Sequence, residues 1–276
     1  MDSLQGHAGE DWSPCTHMKK YGLNFPTFFA RVLAFHIKPS SSLEFGCGLG
    51  TMSDFVARFT PGGRTTATCI EPTPMLREIF RNRQWPQRPE QLAVNIFDKD
   101  AQQCKIHLTD KKFDLVMSFE VLEHIEFEHH PSVLRFLAES TRKYLFFSAA
   151  REGQGGHGHI SLRSKDNYAS EFEQLGLVRM PNLEYFARYA ARQERSYDIF
   201  SNLVVMRNPR FEVEDPQFKD IDTWMAGLED FYPYRYPRGD DAKKNAATKF
   251  IKGTWAALWP ELAFFQDNEK RPCRKV

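Results

Sequence analysis

The residues of this 276-residue chain whose types and spacing could do chemistry fall in two sets. In the first, Leu43-Glu44-Phe45-Gly46-Cys47-Gly48-Leu49-Gly50-Thr51 places three glycines at alternate positions behind an acid. Glycines in such a turn let the backbone approach a ligand closely, and a helix beginning at its end offers unpaired N–H groups to a carboxylate or phosphate. About twenty residues on, Glu71 closes the run Thr68-Cys69-Ile70-Glu71-Pro72, where a carboxylate can accept both hydroxyls of a ribose. The spacing departs from the G-x-G-x-x-G of dinucleotide binders, because Thr51 stands where their third glycine falls, and this disfavours NAD. A tight turn that needs glycine for its backbone alone is the plainer reading. Further along, Phe97 and Asp98 pair an apolar face with a carboxylate, suited to an adenine ring and its amino group. Asp100 competes for the second role, and Asp98 also suits a turn or helix cap.

The second set is Ser118-Phe119-Glu120-Val121-Leu122-Glu123-His124-Ile125, followed by a glycine-rich stretch, 153–158, that runs into His159. The pattern predicts a helix over 121–128, on which positions 120, 123 and 124 share one face. His124 or His159 suits a general base, since imidazole titrates near neutrality and a neighbouring glutamate orients it. The glycines make the loop a candidate cover for a pocket. The same residues also have a purely structural reading, in which the glutamates brace a helix and His159 bonds a carboxylate beneath the loop. Glu126, Glu128, His129 and His130 read as a solvated face.

These residues need elements to hold them. Short apolar runs suited to buried strands occur at 42–46, 66–71, 92–97, 113–118 and 144–148. Helical stretches at 52–59, 74–83, 121–128 with 132–141, and 165–175 follow them, and 25–37 precedes them as a further helix closed by Pro39. Alternation of this kind predicts an α/β fold: a doubly wound, mostly parallel sheet with helices on both faces. Ligands of such sheets bind outside the carboxyl ends of the strands, where both sets of residues fall. Runs at 177–180 and 202–206 suit an antiparallel edge, with a helical 183–194 between them. Three regions result: an N-terminal lid and helix over 1–40, a ligand-binding domain over 41–208, and a mainly helical, aromatic-rich C-terminal extension over 209–276.

Composition narrows the partners. Thirty-seven basic and 36 acidic residues leave a net charge of +1, so neither nucleic acid nor an anionic membrane has a broad electrostatic footprint to meet. The tail from Pro209 carries twelve basic and twelve acidic residues and gives a phosphate backbone nothing to track. No window approaches the roughly 18 apolar residues of a membrane span, and the acidic leader lacks a secretory pattern, so a cytoplasmic protein is expected. Cys15, Cys47, Cys69, Cys104 and Cys273 are odd in number, scattered and without C-x-x-C spacing, which predicts free thiols. Aromatics make up 14 %, with 24 phenylalanines, in a chain of mean hydropathy −0.53. Many cluster in the tail, around Trp224, 231–237 and Trp255, where they suit packing or the wall of an acceptor pocket.

Taken jointly, LEFGCGLGT, Glu71, Phe97-Asp98 and FDLVMSFEVLEHI resemble class I S-adenosylmethionine-dependent methyltransferases, and within them the small-molecule branch that includes ubiquinone-biosynthesis O-methyltransferases. The likeness runs from Tyr21 to about Met206. It implies a Rossmann-like sheet of seven strands and S-adenosyl-L-methionine as cofactor. Gly46, Gly48 and Gly50 would pass under the methionyl part, Glu44 would sit near its amino group and Glu71 would bind the ribose. Phe97 and Asp98 would meet the adenine, Ser118 and Phe119 would lie alongside, and Tyr21 resembles a lid aromatic. The resemblance further implies methyl transfer to a small molecule, oxygen ahead of nitrogen, with Glu120, His124 and His159 as catalytic residues. EVLEH with a distant histidine is also similar to the two-Glu, two-His metal site of small-RNA 3′-terminal methyltransferases, which would put a divalent ion on Glu120, Glu123, His124 and His159. Relatives without a metal share the pattern, and the flat charge balance disfavours RNA. A cofactor-binding scaffold that has lost turnover is the alternative of a different class.

Overall fold

A computed structural model describes residues 26–48, 50–62, 65–71, 112–156, 158–192 and 201–212. Helix α1 (Pro26–Ile37) starts on proline, which is preorganised for the first helical turn, and sinks Phe29, Ala30 and Leu33 into the core. Strand β1 (Ser41–Phe45) is buried from Ser42 onward and runs through a glycine turn into α2 (Thr51–Phe59). Strand β2 (Thr66–Ile70) then lies parallel to β1, with Leu43 opposite Thr68 and Glu44 opposite Cys69. Strand β3 (Phe113–Phe119) returns to the other side of β1, again parallel. Helix α3 (His130–Ser140) leads directly into β4 (Thr141–Ser148), which extends the parallel set. Helix α4 (Lys165–Gln174), the short β5 (Val178–Arg179), α5 (Pro181–Arg192) and β6 (Val204–Arg207) complete the described elements.

The six described strands stand in the order β2-β1-β3-β4-β6-β5. As the alternation predicts, β1 to β4 are parallel, and the last two strands form an antiparallel edge, β6 against β4 and β5 against β6. One face of the sheet packs against α1, α2 and α5 through Phe29, Leu33, Phe55, Leu183 and Ala187. The other packs against α3 and α4 through Val133, Leu134, Leu137, Tyr168 and Phe172. Burial on both faces explains why these strands read as continuous apolar runs. The expected strand over 92–97, the helix over 74–83 and nearly all of the C-terminal extension lie outside the described residues, as do Tyr21, Phe97 and Asp98.

Two expectations are corrected. The helix over 121–128 is replaced by two short 3-10 turns, Leu122–His124 and Phe127–His129. Its backbone is diverted: the Glu123 carbonyl accepts from the N–H groups of Ile160 at 2.8 Å and Ser161 at 3.1 Å, long-range bonds in place of a helical one. His130, read as solvated, is 1 % exposed and bonds the Leu122 and Ile125 carbonyls through Nε2, both at 3.0 Å.

Candidate active site

The strand order reverses between β1, whose next neighbour in sequence lies to one side, and β3, which lies to the other. The turns leaving these two strands therefore face each other across the crevice where α/β sheets bind ligands. They touch: a Cβ placed on Gly46 would overlap both methyls of Val121, with Cγ1 at 2.8 Å. Gly46, Gly48 and Gly50 all have positive φ, at 74°, 54° and 69°, so each needs the freedom glycine supplies. The N–H groups of Gly46 and Cys47 both donate to the Ile70 carbonyl, at 2.8 and 3.1 Å.

Two carboxylates organise this turn. Glu44 is 7 % exposed and accepts from both the N–H and the hydroxyl of Ser53, at 2.9 and 2.6 Å on one oxygen. It caps the first turn of α2 from the neighbouring strand, where Gly50 offers no side chain. Burial raises its pKa to about 7; the Ser53 bonds oppose that rise and nearby Glu71 adds to it. Glu71 is 6 % exposed and accepts the Gly48 N–H at 2.7 Å. Under the same turn, Cys47 and Cys69 form a disulfide with Cα atoms 5.8 Å apart. This corrects the free-thiol reading for that pair: β1–β2 register brings together two cysteines 22 residues apart, which no short spacing rule detects.

At the end of β3, Ser118 is fully buried with its hydroxyl unpartnered among the described residues, and Phe119 packs edge-on against Phe29 at 5.7 Å between centroids. Glu120 adopts φ 53°, a left-handed conformation unusual for a residue with a side chain, while its N–H donates to the Ser148 carbonyl at 2.9 Å. That kink turns the chain out of the sheet. One Glu120 oxygen accepts from the Ser148 hydroxyl at 2.9 Å and the other from the Gln154 amide at 3.1 Å.

Glu123, His124 and His159 converge, each offering one ligand atom within 4.8 Å of the others, whereas Glu120 is turned toward Ser148 and Gln154. Glu123 is wholly buried, and neither of its oxygens has an aligned donor among the described residues. Burial first, and the Glu120 carboxylate second, push its pKa well above the ordinary range. His159 Nε2 lies 4.0 Å from its Oε1, and the two imidazoles meet edge-on at 5.1 Å. His124 Nδ1 bonds the Gly158 carbonyl at 3.0 Å and His159 Nδ1 the Gln154 carbonyl at 3.3 Å. A carbonyl can only accept, so both Nδ1 atoms carry hydrogen and each neutral ring keeps its lone pair on Nε2. The His159 ring rests on Gly156, where any Cβ would overlap it.

Sequence reasoning missed Ser53, Ser148, Gln154 and Asn202. Asn202, just before β6, is 2 % exposed and donates to the Gln154 side-chain oxygen at 2.7 Å. The only local signal was Ser53 at the third position of a helix behind glycine, a place where a hydroxyl meets free N–H groups. Among the described residues no helix is long and apolar enough to cross a membrane.

No curated protein matches the chain. Solved structures similar to it include the magnesium protoporphyrin IX methyltransferase ChlM of Synechocystis, at 14 % identity over 64 % of this chain and 80 % of that one, TM-score 0.42. The sugar N-methyltransferase KedS8 of Streptoalloteichus is 12 % identical over 69 % of this chain and 90 % of that one, TM-score 0.46. PKMT2 of Rickettsia typhi is 9 % identical over 76 % and 57 %, TM-score 0.45. Residues 19–193 match the family profile described as a methyltransferase domain, well over half of the chain, and the chain belongs to that family as an S-adenosylmethionine-dependent methyltransferase.

Proposed function

We propose that the chain transfers the methyl group of S-adenosylmethionine to a small-molecule acceptor, an oxygen ahead of a nitrogen. The observation that carries this reading is the pair of imidazoles, His124 and His159, which meet edge-on beside buried Glu123 and whose Nδ1 hydrogens are committed to backbone carbonyls, so that Nε2 is the basic nitrogen of each neutral ring. Bound S-adenosylmethionine would supply an electrophilic methyl group and a neutral thioether leaving group. His124 or His159 would take at Nε2 the proton that an acceptor hydroxyl gives up as its oxygen is methylated. A hydroxyl needs that removal, which is why two presented imidazoles favour oxygen. Glu44 would lie near the cofactor's amino group and Glu71 near its ribose, with the glycine turn beneath the methionyl chain. Outside the described residues, Tyr21, Phe97 and Asp98 are proposed for the lid and the adenine. Alignment and exclusion of water supply most of the acceleration, up to roughly 7–11 kcal/mol.

A second reading places a divalent cation on Glu123, His124 and His159. It is favoured by a wholly buried carboxyl and two imidazoles that each bring one ligand atom within 4.8 Å of the others, a set of one oxygen and two nitrogens that fits a borderline metal. A bound ion would polarise an acceptor hydroxyl and lower its pKa. An ion and a base use the same lone pairs, so the two readings compete. The test is a screen of metabolite extracts with methyl-labelled cofactor, in excess chelator and with added Mn²⁺. Labelled small molecule formed in chelator, and lost in a Gly48→Val variant, supports the first reading. Product formed only with metal selects the second. Label found only on RNA ends overturns the small-molecule acceptor, and no product on any acceptor leaves the scaffold.

A further inference from the structure

We infer that Gln154 is the positioning residue of this site, fixing the Glu120 carboxylate and, through its own carbonyl, the tautomer of His159. The inference rests on the proposed use of the His124 and His159 lone pairs. Gln154, in the loop after β4, bonds three parts of the molecule at once. Its amide nitrogen donates to Glu120 at 3.1 Å, its side-chain oxygen accepts from Asn202 at 2.7 Å, and its backbone oxygen accepts from His159 Nδ1 at 3.3 Å.

The directions of these bonds form a relay. Ser148 donates to one Glu120 oxygen and the Gln154 N–H to the other, so the amide oxygen of Gln154 is left to accept, from the Asn202 amide at 2.7 Å and, at longer range, from the Arg151 N–H at 3.4 Å. The orientation of one amide is thereby set from both ends. With the side chain anchored to the end of β3 and to the start of β6, the backbone carbonyl behind it is held against His159. A held carbonyl keeps hydrogen on Nδ1 and the lone pair on Nε2, which lies 4.0 Å from the Glu123 carboxyl. Gly156 completes the arrangement by leaving room for the ring. Directional second partners of this kind are what fix the tautomer of a working histidine.

The test reads the tautomer directly. Full-length protein carrying ¹⁵N-labelled histidine is observed by long-range proton–nitrogen NMR, with His159→Gln used for assignment and S-adenosylhomocysteine affinity measured alongside. In the wild type His159 shows the Nδ1–H pattern. In Gln154→Ala that pattern is lost toward a mixture of tautomers, while thioether affinity stays within about twofold because the glycine turn makes no bond to Gln154. Gln154→Glu keeps the length and the acceptor for Asn202 but removes the donor to Glu120, so it gives the same loss should the alanine variant fold poorly. Unchanged His159 signals in both variants overturn the inference. Loss of thioether binding together with the tautomer change also overturns it, since Gln154 would then support the fold generally. A wild type that binds no thioether defeats the cofactor reading instead, and leaves the tautomer comparison intact.

Discussion

The backbone N–H of Gly48 donates to the Glu71 carboxylate at 2.7 Å, tying the turn after β1 to the end of β2. The bond holds the acid at the rim of the crevice and stiffens a glycine whose φ of 54° few other residues adopt. One contact therefore links the backbone geometry of the turn to the placement of the group proposed for the ribose.

Replacing Glu71 by alanine should weaken S-adenosylhomocysteine binding by about 30-fold, since a hydrogen bond to a charged group is worth about 2 kcal/mol. Calorimetry measures it. Glu71→Gln retains one acceptor and should fall between wild type and alanine. Equal affinity in all three would remove the carboxylate from the cofactor site.

Glu44 gives a pH dependence whose sign follows from burial. Its carboxyl holds a proton up to about pH 7 in the folded chain, whereas in the unfolded chain it ionises near its ordinary 4.5. Below 4.5 both states are protonated; between 4.5 and 7 only the unfolded state loses its proton, so stability falls as pH rises; above 7 the loss is complete. The span corresponds to about 3 kcal/mol. Glu44→Gln still accepts from Ser53 and does not titrate. Urea unfolding should find variant and wild type close at pH 5 and the variant more stable at pH 8. Parallel pH curves for the two proteins would show that Glu44 does not titrate in this window.

How far the sequence alone reached depends on the range of the interactions. The parallel strands and the antiparallel edge were legible because burial on two faces writes apolar runs directly into β1, β3 and β4. The glycine turn was legible because positive φ selects the residue type. Residues 121–128 were misread because their local pattern suits a helix, while the decisive bonds, Ile160 and Ser161 to the Glu123 carbonyl, come from a distant loop. Gln154 and Asn202 escaped for the same reason, being 48 residues apart in sequence and joined only when β6 docks on β4. Of the four residues that the pattern offers to a metal, Glu123, His124 and His159 lie within 4.8 Å of one another, while the Glu120 carboxylate bonds Ser148 and Gln154, which the local pattern does not reveal.

The contact between Gly46 and Val121 supplies a test of how the two halves of the crevice are joined. Alanine at position 46 meets two separate penalties: a left-handed φ of 74° that costs about 1–2 kcal/mol, and overlap of its Cβ with the Val121 methyls. The overlap adds about 1–3 kcal/mol unless the β3 turn gives way. Gly46→Ala should therefore lower the urea midpoint and weaken thioether binding together. Adding Val121→Ala removes the two overlapping methyls, leaving a Cβ contact of 3.2 Å and the backbone penalty, so the double variant should be more stable than Gly46→Ala alone, although Val121→Ala by itself destabilises. That inversion of sign is the signature of a direct contact. Simple addition of the two costs would mean that the turns meet without constraining each other, and that the glycine turn is set by β1 and β2 alone.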